Sequence, residues 1–463
     1  MSNHQTSDAR VGSAPSPAGF KPRRGINWGM IGLMYASYYM CRYNFRFGTP
    51  GMVEEFGFSA GDISDIFAIW SLAYGTGQLV NGLFSDRIGG KWTMLIGAVG
   101  TIIINFIFGF SPLVTTVSTF GLVALMNGWF QSFGAPGMIK MNAAWFNRTE
   151  RGTFSGIFGI MIQLGQFGIN NWAPLILAGF NMSIFGFVIF SEPGNWRMLF
   201  ILPPMVTAAI AILLAFTIKE EPAQANFPEA VEDELDNTVG TRVSIKESFV
   251  TIFRHPLVWF YAVAYASTGA VRHSSDQLSI LYFQEQLGLD MATRPAAVFW
   301  TLNLMPLAAI IGSIAAGWIS DKVFQGARSP VAMVLYFTEA CVIGIAAVVV
   351  YTGIVGPTPM GIFLGCMFLV LTSLTVNSTH SIVGAAAPMD IGGKKMAGFA
   401  AGVIDSFQYY GAAISFMITG RLIDAYGWGT WYPVMVAFAL MGGVSMLLVT
   451  IKQKRMKAAG KVA

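Results

Sequence analysis

Apolar residues in this chain come in long unbroken runs, separated by short polar connections. About twelve such runs are long enough to cross a bilayer as helices, since roughly 20 residues rising about 1.5 Å each span a hydrocarbon core about 30 Å thick. They are centred near residues 36, 72, 102, 130, 165, 207, 268, 305, 341, 371, 409 and 440. The ten-residue alternating segments of an outer-membrane barrel are not the pattern here. The pattern predicts an all-α polytopic membrane protein.

One polar stretch is longer than the rest. It runs over residues 219–254, contains "EEPAQANFPEAVEDELDNTVGTR", and divides the runs six and six. The predicted organisation is a disordered cytoplasmic tail over 1–25, a six-helix bundle over 26–218, a cytoplasmic linker over 219–254, a second bundle over 255–451 and a basic tail over 452–463. The end of the linker, "SIKESFVTIFRHP", has the spacing of an interfacial amphipathic helix. The first residues lack the apolar core of a signal peptide and read as a tail.

Composition agrees: of 463 residues, 54% are hydrophobic and 11% charged, whereas a soluble domain carries roughly a quarter charged residues. The three cysteines, Cys41, Cys341 and Cys366, sit in apolar runs without metal-like spacing and read as small core residues. The positive charges are placed unevenly. Lys21, Arg23, Arg24, Arg87, Lys91, Arg148, Arg151, Lys322, Arg328, Lys394, Lys395 and the residues after Lys452 fall on one set of connections, while loops such as "GIVGPTPM" carry almost none. The positive-inside rule then places both termini in the cytoplasm.

The two halves repeat. "GLFSDRIGGK" (Gly82 to Lys91) follows the second run and "GWISDKVFQGAR" (Gly317 to Arg328) follows the eighth, with Asp86 and Asp321 in equivalent places. A tight turn explains one copy; two at matched positions argue for an internal duplication. The pattern from Gly82 to Lys91 resembles the signature loop of the major facilitator superfamily. Such a loop, with Asp86 followed by Arg87, can set Asp86 at a helix terminus to interact with a neighbouring arginine, a charge latch on the cytoplasmic side that breaks and reforms as the two halves rock.

Within the spans, the charges are the informative residues. Arg42, in "YYMCRYNF", lies mid-span, where an arginine costs roughly 2.5 to 3.5 kcal/mol on insertion scales. Arg272, in "YASTGAVRHSSDQ", lies at the equivalent depth of the seventh span, 230 residues later. Symmetry-related sites in such duplicated folds converge at the midplane. Two guanidiniums meeting there repel unless an anion lies between them, and their planar forks suit phosphate or carboxylate. The sequence therefore predicts a small anionic substrate.

Other polar groups in the spans admit two readings each. Arg46, one turn beyond Arg42, is a gate charge or second anion contact, or else snorkels to the outer surface. Lys140 is structural or lines the entry. His273 and Asp276 flank Arg272; His380 is a satisfied hydrogen-bonding group or a pH-sensitive one. Asp405, one turn before Tyr409, neutralises Arg42 or Arg272 in the empty site, or binds a proton.

Together "GLMYASYYMCRYNF", "AYGTGQLVNGLFSDR", "NGWFQSFGAPG", "WFNRTERG" and "GGKKMAGFAAG" resemble the organophosphate:phosphate antiporter family over residues from about 26 to 450. That resemblance implies two six-helix bundles and exchange of glycerol 3-phosphate, a sugar phosphate or phosphoglycerate for inorganic phosphate. It further implies no cofactor, no nucleic-acid partner, no enzymatic activity, a monomer, and residence in a plasma membrane of the bacterial inner-membrane kind. By the same resemblance Arg42 and Arg272 match the phosphate-holding arginines, and Tyr35, Tyr39, Tyr74 and Tyr409 match groups lining the cavity. The chain departs from the family at Tyr43 and Gln78, where lysines are usual, and at Gly159 and Ile162, leaving Gln163 and Gln166 as nearby polar groups. Asp405, the histidines in the spans and the missing lysine leave open a proton-coupled carrier of another small anion, and because some members of the resembled family act as ligand sensors, a non-transporting organophosphate sensor is the other alternative.

Overall fold

The computed structural model describes residues 17–146, 151–184, 187–228, 254, 257–325 and 327–458. Twelve α-helices are assigned among them. In the first half they are α1 (Phe20–Phe56), α2 (Ala60–Ile88), α3 (Gly90–Phe110), α4 (Val117–Gln131), α5 (Gly134–Trp145), α6 (Arg151–Leu177) and α7 (Leu202–Thr217). The second half contains α8 (Val258–Glu285), α9 (Ala296–Lys322), α10 (Arg328–Tyr351), α11 (Pro359–Tyr426) and α12 (Trp431–Ala458).

Local chemistry sets several boundaries. Ser59 and Asp62 form a reciprocal capping box that starts α2, and Thr116 with Thr119 does the same for α4. Glycine at φ 68° ends α1 at Gly57, a left-handed turn that side chains resist. The fourth span is α4 and α5 in succession, interrupted at Ser132 and Phe133.

Three features differ from the sequence expectation. The first helix begins at Phe20 rather than after residue 25, and its basic residues are docked: Arg23 donates to the Thr217 carbonyl at 2.6 Å, and Arg24 lies over the Phe146 ring at 4.8 Å. A β-hairpin, β1 (Phe180–Ile184) against β2 (Phe187–Ser191), follows α6, its aromatic and β-branched residues suiting a pleated ribbon. Spans ten and eleven form one helical assignment of 68 residues, α11. It doubles back: Gly384 meets Tyr265, and Gly411 meets the neighbouring Ala266 carbonyl, both on α8. The predicted amphipathic helix at the linker's end, Arg148 and most of the N-terminal tail lie outside the described residues, as do the side chains of Asp86, Lys394 and Lys395.

Among the described residues, six segments are apolar and long enough to span a membrane: α3, Trp196–Thr217, α9, α10, α11 over Pro359–Gly384, and α12. The remaining crossings, among them α1, α2, α6 and α8, carry more polar residues. Those helices face one another, with Asn44, Arg46, Asn170, Ser274 and Asp276 all buried. In lipid, polar side chains are tolerated where protein surrounds them.

The duplication is visible in the packing. The Ala36 carbonyl of α1 meets Gly165 of α6 so closely that a methyl group would clash, and the Ala266 carbonyl of α8 meets Gly411 of α11 in the same way. Ala266 follows Ala36 by the same 230 residues that separate Arg272 from Arg42. Glycine is required at both crossings because only a missing Cβ lets the helices approach to that distance.

Hydrogen bonds described between the bundles cluster toward the face opposite the chain termini. Asp424 accepts from Ser59 Oγ at 2.7 Å and from the Gly61 amide at 3.0 Å. Arg421 approaches Asp65 at 3.8 Å. Deeper in, Asn171 donates to Asn303 at 2.8 Å and Asn170 to the Leu302 carbonyl at 2.7 Å.

Candidate functional site

The site begins with a tyrosine stripe. Tyr35, Tyr39 and Tyr43 recur every fourth residue on α1 and therefore share one helix face. Their rings pack in sequence, with centroids 5.5 Å apart for Tyr35 and Tyr39 and 5.9 Å for Tyr39 and Tyr43. Arg42 stands beside this stripe and is 5% exposed.

Its guanidinium is enclosed by rings, lying 4.4 Å from the Tyr74 centroid, 4.5 Å from Tyr39 and 5.2 Å from Trp70. Ring faces attract a cation, most strongly where water is excluded. Nε of Arg42 donates to Gln131 Oε1 at 3.0 Å, and Gln131 Nε2 donates back to the Cys41 carbonyl at 3.0 Å. Gln131 thus fixes the guanidinium's orientation. It was not singled out from the sequence, although a glutamine in "NGWFQSFGAPG" carries the same polar-in-lipid signal as the arginines.

Arg272 is half-buried on α8, with its Nε buried and without a hydrogen-bond partner. The two arginines share surroundings: Tyr39 and Tyr409 interact electrostatically with both, and so does Asp405. Tyr409 bridges the bundles by packing on Tyr74 at 4.3 Å and on His273 at 4.9 Å. Tyr35, Tyr39, Tyr74 and Tyr409, from three helices, therefore do come together around the Arg42 side of the interface.

Asp405 makes no direct ion pair with either arginine. Gln78 is its nearest polar neighbour in electrostatic effect, and Arg272 and Arg42 act on it more weakly. The side-chain oxygens of Gln78 and Gln163 are buried without partners. Gln166 is buried at 5% exposure.

Arg46 does not snorkel to the outer surface. It is wholly buried; one Nη donates to the Asp276 carbonyl at 2.6 Å and the other to Asn170 Oδ1. The low-dielectric interior holds it because fixed acceptors replace water. Tyr43, standing where the family usually has lysine, donates its hydroxyl to Asp276 Oδ2 at 3.1 Å. Asp276 is thus engaged by Tyr43 and Arg46 from the other bundle. Counted at their formal charges, Arg42, Arg46 and Arg272 exceed Asp276 and Asp405 by one. Low dielectric makes that excess felt by an anion.

Of the remaining candidates, His380 adjoins the Arg272 side of the site and the others lie elsewhere. His380 faces Tyr265, with Nδ1 3.0 Å from its hydroxyl and the rings stacked. Lys140 is half-buried in α5 and has an interaction partner. Arg87 and Asp321 are exposed, at the ends of α2 and α9. The Asp86 side chain, needed for the latch reading, lies outside the described residues.

A family model described as the Major Facilitator Superfamily matches residues 31–415. The chain belongs to the major facilitator superfamily. Its membership makes it a multi-pass membrane protein of transporter type rather than an enzyme. Among its relatives, the glycerol-3-phosphate transporter of Bacillus subtilis is 28% identical over 430 residues, covering 91% of each chain. The membrane sensor protein UhpC of Salmonella typhimurium is 27% identical over 428 residues, covering 90% of this chain and 89% of the relative. A probable hexose phosphate transport protein of Chlamydia trachomatis is 25% identical, covering 90% and 88%. Solved structures agree on this major facilitator fold. A bacterial homolog of the human lysosomal transporter Spinster superposes with TM-score 0.69 at 12% identity, covering 92% of this chain and 96% of that one. The D-xylose-proton symporter gives 0.65 at 13%, covering 92% and 97%.

Proposed function

We propose that this protein is a secondary active transporter of a small phosphorylated organic anion, exchanged for inorganic phosphate by alternating access, with both termini cytoplasmic and the monomer as the working unit. The observation that carries the reading is the pairing of Arg42 and Arg272. They occupy equivalent places in the two repeats, share Tyr39, Tyr409 and Asp405 as electrostatic neighbours, and leave a buried Arg272 Nε unpartnered. The relatives named for glycerol 3-phosphate and hexose phosphate transport support a phosphorylated cargo.

In the empty site the guanidiniums repel each other across a low-dielectric gap. A bound phosphate accepts from both and replaces that repulsion with charge-assisted hydrogen bonds. Closing the bundles around it then becomes easier, so the site reorients loaded and exchange follows. The test is uptake of radiolabelled phosphate into phosphate-loaded liposomes containing the purified protein. Uptake without an imposed pH gradient supports exchange; no uptake by folded protein rejects it.

The likeness to UhpC, a membrane sensor, favours a second reading in which the same site binds an organophosphate and signals without moving it. Organophosphate binding to purified protein, combined with no uptake into liposomes, separates the sensor from the transporter.

A further inference from the structure

Beside Arg42, bounded in part by the Trp70 ring that also lies against its guanidinium, the structure holds a small cavity. Phe45, Phe67 and Phe108 wall it, and Arg42, Asn127 and Gln277 supply its polar surface. It has room for little more than one water-sized group. Asn127 is 5% exposed and Gln277 4%, and the side-chain oxygen of each is buried without a hydrogen-bond partner. Asn127 lies one turn before Gln131 on α4, so both face α1. Gln131 already serves Arg42 and the Cys41 carbonyl, and Cys41 Sγ already meets Thr207 at 3.2 Å. The two unpartnered amide oxygens and the arginine are what remains.

A buried acceptor left unpaired is costly, so these two oxygens call for a donor. Two acceptor oxygens would repel a phosphate oxygen. They suit a donor, and the neighbouring guanidinium suits an acceptor. A hydroxyl group is both.

Resting on the transport reading above, we propose that this cavity is the subsite for one hydroxyl of the cargo's organic portion, donated to Asn127 or Gln277 beside Arg42. The arginine then stands between the two ends of the substrate, with phosphate toward Arg272 and the hydroxyl in the aromatic pocket. The cargo this requires is a phosphomonoester with a hydroxyl a few bonds from its phosphate, since only that hydroxyl enters the cavity.

The experiment measures competition against labelled phosphate uptake in phosphate-loaded liposomes by glycerol 3-phosphate and by propyl phosphate, which has the same chain without hydroxyls. The wild type should favour glycerol 3-phosphate by at least about tenfold, because a site with unpaired buried acceptors rejects the analogue that leaves them unpaired. Asn127→Leu, Gln277→Leu and the cavity-filling Ala124→Leu should each bring the ratio toward one. The ratio is independent of how much active protein each variant supplies, and placing two variants on α4 and one on α8 guards against one failing to fold. Equal competition in the wild type, or an unchanged ratio in all three variants that take up phosphate, overturns the subsite and leaves exchange standing. Absence of phosphate uptake by folded wild type overturns both.

Discussion

Asp424, near the end of α11, caps the start of α2 in the other bundle, accepting from Ser59 Oγ at 2.7 Å and the Gly61 amide at 3.0 Å. The first turn of a helix has amides without internal partners and a partial positive charge, so a carboxylate there is favourable. Since α2 already has its own cap in Ser59 and Asp62, Asp424 adds a tie between bundles rather than a condition for helix formation.

Asp424→Ala should therefore leave the fold intact and shift the equilibrium away from the state closed on this face. A cap contributes about 1 kcal/mol, which changes a two-state ratio about fivefold. Alkylation of single cysteines introduced on either face reads that ratio; identical labelling of variant and parent would remove the tie from the switching mechanism.

Arg42→Lys should reduce phosphate exchange by tenfold or more although the charge is kept. Lysine cannot donate from an Nε fork to Gln131 while presenting a planar cation to three rings. Arg272→Lys should do the same. Exchange at parental levels in either variant would contradict the paired-arginine site.

Gln131→Leu removes the one hydrogen bond that orients the Arg42 Nε. Loss of about 1 kcal/mol of positioning should raise the phosphate concentration for half-maximal exchange roughly fivefold. A fall in maximal rate alone, with half-saturation unmoved, would assign Gln131 to packing.

Tyr43→Lys puts a cation beside Asp276 where a hydroxyl now donates at 3.1 Å. The added positive charge should favour doubly over singly charged phosphate, so exchange in the variant should rise from pH 6 to pH 8 relative to the parent. A parallel pH profile in the two proteins would show that Tyr43 does not set the site's charge preference.

Gly165→Ala and Gly411→Ala should each destabilise the protein by about 1 to 3 kcal/mol, because the added methyl meets a backbone carbonyl that cannot move aside independently. Thermal unfolding in detergent measures this. If only one of the two mattered, the repeats would not be equivalent at these crossings.

The sequence by itself determined the class, the span count and the equivalence of the two halves. Hydrocarbon leaves backbone groups no partner but their own helix, so apolar runs translate directly into crossings. A duplicated chain repeats its offsets, which made Arg42 and Arg272 legible as a pair, and helical periodicity put Tyr35 and Tyr39 on a common face with Tyr43. Periodicity fixes which residues share a face but not what stands opposite that face. Only the tertiary structure decided that Arg46 turns inward to Asn170 and the Asp276 carbonyl, that Gln131 orients Arg42, that Tyr43 answers Asp276 in place of a lysine, and that Asp424 caps α2. Each of these partners lies tens to hundreds of residues away along the chain, and each was chosen by burial: a polar group withdrawn from water must bond to whatever the packing brings within reach.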